Sequence, residues 1–137
     1  MSRPDTLSAA VDRIRKGVPR EIAIPEFLDT FYLAHGDERA AMMADEPPVT
    51  GDARFDALMG AICEYLTKRY ELPAMARWVS DPVRFLDEPW FTSQSDDDGL
   101  REYLTFSTPA EFLHHTIFTE ATPLRRASSH ARQGGRR

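Results

Sequence analysis

Two adjacent histidines, His114 and His115, are by residue type the best suited to acid–base or metal chemistry, and Glu111 stands four residues before the second. At that spacing a carboxylate and an imidazole can meet on a helix. Neighbouring helical positions point about 100° apart, so the two rings are not expected to chelate one metal as an i, i+4 pair would. A metal there would need ligands from elsewhere. Glu111 also has a competing role in Thr108-Pro109-Ala110-Glu111. There the Thr hydroxyl can accept from the third helical amide, proline fits the first helical position, and the glutamate reaches back as a capping box. The sequence therefore predicts a surface or half-buried histidine pair, with no metal and no cofactor.

Cys63 is the only cysteine, so no internal disulfide can form, and it sits beside Ile62 and Leu66 in an apolar helical pattern. Such surroundings raise a thiol's pKa and silence it as a nucleophile. Asp96-Asp97-Asp98 lacks the glycine-and-glutamate frame of a calcium loop, and three acids at a helix start complement the dipole without an ion. No glycine-rich phosphate cradle, nucleophile elbow, H-E-x-x-H or C-x-x-C occurs. An unrecognised enzyme assembled from dispersed residues is left as the third reading.

The elements that would position these residues read as helices. Leu7, Ala10, Val11 and Ile14 form one stripe over residues 6–16, stopped at Gly17. A second helix is predicted to begin at Pro25 and to carry Phe27, Leu28, Phe31 and Tyr32 as far as Gly36. A short helix follows, ended by Asp45-Glu46-Pro47-Pro48. From Asp52, the stripe Phe55, Leu58, Met59, Ile62, Tyr65, Leu66 predicts the central core helix, near residues 52–70. Between Leu72 and Asp98 only short apolar islands appear, with one helical turn expected at Asp81-Pro82. Ser95 and Asp98 can cap a helix through Leu100, Tyr103 and Leu104. No alternating run is long enough for a sheet. The expected fold is all-α, a single domain of five to six helices over residues 1–123, with a long aromatic-rich loop and a disordered basic tail over 124–137.

Charge divides along the same boundary. The net −5 of the 137 residues conceals a body with 12 Arg or Lys against 22 Asp or Glu, and a tail with five arginines and no acid. An acidic body repels phosphate backbones at long range. Contact with nucleic acid would therefore fall to Arg125, Arg126, Arg132, Arg136 and Arg137 in the tail. No run approaches the roughly 18 apolar residues of a membrane span, and the opening residues lack a signal-peptide core. A cytoplasmic protein is expected.

Both tryptophans lie in the aromatic-rich stretch, and Trp78, Phe85, Trp90, Phe91, Phe112 and Phe118 have the residue types of interface hot spots. Each of them can equally be core packed under a long loop. The same stretch carries Trp78-Val79, Asp81-Pro82-Val83-Arg84-Phe85-Leu86, Glu88-Pro89-Trp90-Phe91, Leu100-Arg101, Pro109-Ala110-Glu111-Phe112, Ile117-Phe118 and Leu124-Arg125-Arg126-Ala127. With these motifs, residues 47–127 resemble a family of small, largely uncharacterised bacterial helical proteins. Its members are described as encoded beside nucleotidyltransferase-like proteins in arrangements similar to toxin–antitoxin pairs. The chain departs from that pattern in having His114-His115 where the family has arginines. The resemblance implies a non-enzymatic interaction module, antitoxin-like or adaptor in kind, whose partner protein, a nucleotidyltransferase-like toxin for instance, binds across residues 78–118. A DNA-contacting regulator that uses the arginine tail is the alternative.

Overall fold

The computed structural model describes residues 6–92, 104, 107–120, 123 and 124. These group into two compact units, where the sequence predicts one domain: residues up to 48 with 72–76 and 124, and residues 49–71 with 77–123. The described chain is mainly helical, with five α-helices and one two-stranded sheet.

In the first unit, α1 (Leu7–Arg15) starts where the Thr6 hydroxyl accepts from the Ala9 amide at 3.0 Å, a side-chain N-cap. Its stripe of Leu7, Ala10 and Val11 is buried against α2 (Arg20–Leu33). α2 begins five residues before the expected proline. Pro19 occupies the N-cap and Glu21 lies in the first turn, so Pro25 falls inside the helix. That position forgoes the hydrogen bond to the carbonyl four residues back. Burial of Ala23, Phe27, Leu28 and Phe31 offsets the loss. α3 (Gly36–Ala41) follows as expected, and behind it Met42 and Met43 are buried, with the Met42 carbonyl accepting from the Leu7 amide at 2.8 Å. The tyrosine hydroxyl of Tyr32 donates to the Leu124 carbonyl at 2.8 Å. Leu124 is buried and thus belongs to the packed body, although the sequence places it in the tail.

The second unit is built on α4 (Ala53–Arg69), opened by Asp52 accepting from the Phe55 amide. Twelve of its 17 residues are buried, on every face, the mark of a helix at the centre of a core. Packed on it are two 3₁₀ turns, Arg77–Ser80 and Pro82–Arg84, and the short α5 (Ala110–His114). α5 lacks its expected capping box: Pro109 is the N-cap, with no side-chain hydrogen bond. The Thr108 hydroxyl instead lies on the carbonyls of Leu104 and Thr119 and accepts from the Thr119 amide at 2.9 Å. Tertiary pairing has won over local capping.

A sheet, absent from the sequence reading, joins β1 (Trp90–Phe91) to β2 (Ile117–Phe118) in parallel, Trp90 opposite Ile117 and Phe91 opposite Phe118. Two-residue strands carry no readable alternation, which is why periodicity could not find them. No described helix is long and apolar enough to cross a membrane. The predicted helix opened by Ser95 lies outside the described residues except for Leu104, which is helical and buried.

Candidate functional site

The row Gly60, Glu64, Lys68 repeats every four residues along one face of α4. Glu64 is the centre of the site. Its Oε1 lies 2.8 Å from Nε2 of His115 and 3.0 Å from Nδ1 of His114, and its Oε2 lies 3.4 Å from the Lys68 ammonium. Adjacent side chains diverge by about 100° only where both sit on one regular helix. α5 ends at His114, and His115 is its C-cap at φ −95°, ψ 10°. Thr116 then takes φ 67°, a left-handed value unusual for a β-branched residue. This reversal lets both rings converge, with centroids 5.2 Å apart. The partner of His115 is therefore Glu64, and not the Glu111 that sequence spacing suggests.

His115 is 0% exposed and His114 58% exposed by side chain. On the far side of the buried ring, Nδ1 meets the Arg84 carbonyl. A carbonyl only accepts, so Nδ1 carries a proton. Burial raises the pKa of the Glu64 carboxyl, but hydrogen bonds from His115 and His114, and the attraction of both rings, outweigh it and bring the group below its ordinary value. Nε2 faces Glu64 Oε1 across 2.8 Å with a proton between them, so the His115 ring is held at both of its nitrogens. Phe85 stacks on that ring at 4.4 Å and 13° and meets His114 edge-on at 5.1 Å.

Arg84 completes the wall. It is fully buried, its guanidinium lies 4.9 Å from the Trp78 ring centre, and its Nη1 donates to the Asp56 carbonyl at 3.3 Å. In this 3₁₀ turn Val83 is exposed and Arg84 is the residue inside. Gly60 makes the approach possible. A Cβ there would stand 2.9 Å from both the Arg84 Cβ and the His115 Cε1. The readable signal for these missed residues is a glycine and a glutamate one turn apart inside the otherwise apolar stretch 57–66 of the helix.

The aromatic residues expected at an interface separate into two groups. Trp78 and Phe112 are core, 5% and 1% exposed, because Trp78 covers the Arg84 guanidinium and Phe112 packs edge-on to Tyr65 at 5.5 Å. Phe85, Trp90, Phe91 and Phe118 are half-buried. Phe91 stacks on Phe118 at 4.5 Å, and the exposed Arg54 places its guanidinium 5.4 Å from the Trp90 ring centre. Cys63 is fully buried, as its neighbours imply. Asp96-Asp97-Asp98 and the tail arginines Arg125, Arg126, Arg132, Arg136 and Arg137 lie outside the described residues.

No protein-family model matches the chain, and neither the curated proteins nor the solved structures contain a significant match to it.

Proposed function

We propose that the protein is a non-enzymatic interaction module, antitoxin-like or adaptor in kind, which docks a partner protein through the half-buried aromatics of β1 and β2. The observation that carries this reading is the Phe91–Phe118 stack on a ladder only two residues long. So small a sheet has little stability of its own, yet it displays three large aromatic side chains part-way into solvent, the residue types that dominate binding energy when a partner finishes burying them. Val83 and Leu113, two of the exposed large hydrophobics, fall within the same 78–118 segment. The resemblance of residues 47–127 to proteins encoded in toxin–antitoxin-like pairs supports the same reading. The acidic balance of residues 1–123 suits a basic partner, such as a phosphate-handling protein.

The test is co-expression of the untagged chain with its flanking genes, followed by mass measurement of what purifies with it. A stoichiometric companion is expected, lost from a Phe91→Ala, Phe118→Ala double variant whose unfolding transition is unchanged. Each truncation should weaken binding by about 2 kcal/mol if it is a hot spot. A protein that purifies alone, or a companion retained by the double variant, overturns the reading. DNA contact through the tail remains the second reading, on the strength of five arginines and no acid in 14 residues. It requires binding to duplex DNA that falls steeply with salt and is lost on deleting residues 124–137.

A further inference from the structure

We propose that Glu64, His114 and His115 form a binding site for one divalent transition-metal ion of the zinc class, with Nε2 of His115, Nδ1 of His114 and the Glu64 carboxylate as ligands. One ligand atom from each residue lies within 4.8 Å of the other two. Around zinc, with bonds of about 2.0–2.1 Å, tetrahedral ligand atoms stand about 3.3 Å apart. The observed separations of 2.8 and 3.0 Å need to open by only about half an ångström. Two imidazoles and one carboxylate are a donor set that zinc, cobalt and nickel accept and that hard calcium and magnesium do not favour.

The surroundings are those of a ligating histidine. His115 donates its other ring proton, on Nδ1, to the Arg84 carbonyl, the contact that fixes tautomer and ring direction in metal sites. Phe85 holds the ring plane by stacking, and Gly60 leaves the space in which the ring stands. The exposed His114 lies on the solvent side, so three protein ligands would leave a coordination position for water. The proton balance is simple. The metal replaces the proton between Nε2 of His115 and the Glu64 carboxylate, which leaves to solvent, and the Nδ1 proton of His114 moves to its Nε2, so that the ring binds as the other neutral tautomer. The Lys68 ammonium, 3.4 Å from Oε2, competes with the ion, and at 55% exposure it can swing away.

The experiment is titration of the untagged full-length chain, stripped with chelator, with Zn(II) against a competing indicator, and in parallel with Co(II) followed by its ligand-field absorption. One ion per chain is expected. His114→Ala, at an exposed position where folding should be unaffected, and Glu64→Gln, which keeps an acceptor for His115, should each weaken it at least about tenfold. Lys68→Met should leave it unchanged or tighten it. Nitrogen-resolved NMR should show His115 keeping its Nδ1 proton and losing its Nε2 proton at saturation. Absence of zinc uptake, uptake by His114→Ala and Glu64→Gln as tight as by the unsubstituted chain, or a retained Nε2 proton at saturation would each overturn the assignment.

Discussion

The two units reach burial by opposite means. The first, around α1 and α2, keeps its charges at the rim: Arg13 pairs with Glu26 at 2.9 Å and Lys16 with Asp12 at 2.9 Å, all partly in water, over a core of Leu, Ala, Val, Phe and Met. The second places Asp56, Glu64, Arg84 and His115 inside. Each of these has a specific partner; Asp56, for example, accepts from the Thr50 amide and hydroxyl at 3.0 and 2.8 Å. Exposed pairs contribute little to stability, whereas a buried charge left without its partner is strongly destabilising. Side-chain identity should therefore be forgiving in the first unit and strict in the second.

The sharpest way to break that contrast is Glu64→Ala, which leaves the buried His115 without its carboxylate partner. A loss of about 3–5 kcal/mol is expected in urea denaturation, and a loss under 1 kcal/mol would mean that the second unit is as tolerant as the first. Gly60→Ala comes next. The substitution improves helix propensity by about 1 kcal/mol, yet its methyl meets Arg84 and His115 at 2.9 Å. A net loss of about 1–3 kcal/mol is expected, the range for overpacking. In the first unit, by contrast, Arg13→Ala should cost no more than about 1 kcal/mol.

Acid should also separate the units. Because the folded pKa of Glu64 is lowered, its contribution to stability is fully present above the ordinary carboxylate value of 4.5 and is lost as pH falls through the folded value. Unfolding measured from pH 7 downward should lose that increment, and Glu64→Gln should flatten the profile. The smallest effect expected is on Cys63: thiol reagents should label it only after denaturation, since it is fully buried in α4. Fast labelling of the native chain would show that the second unit opens more readily than its packing implies.

Legibility in the sequence cuts across the two units. α1 and α4 were readable because each has an apolar stripe and a side-chain N-cap, Thr6 and Asp52, that agree about where the helix starts. α2 was misplaced because Pro25 looks like a first helical residue, and its helical interior position is set by what Ala23 and Phe27 bury. The site was largely hidden. Glu64 and His115 are 51 positions apart, and nothing local connects a carboxylate in an apolar helix to a histidine just past the end of another. The hydroxyl of Thr108 had two possible uses, capping and cross-chain pairing, and sequence shows only the first. Histidine adjacency was read with helical geometry, which fails one residue past the end of α5, where Thr116 turns left-handed.

That boundary makes His114 and His115 a matched pair of reporters. They share one side-chain chemistry and one peptide bond, but one ring stands in solvent and the other is sealed. A reagent that carbethoxylates imidazole would read the medium at the first and the opening of the second unit at the second. The ratio of the two rates needs no knowledge of reagent or protein concentration, so the chain contains its own clock for how often that core breathes.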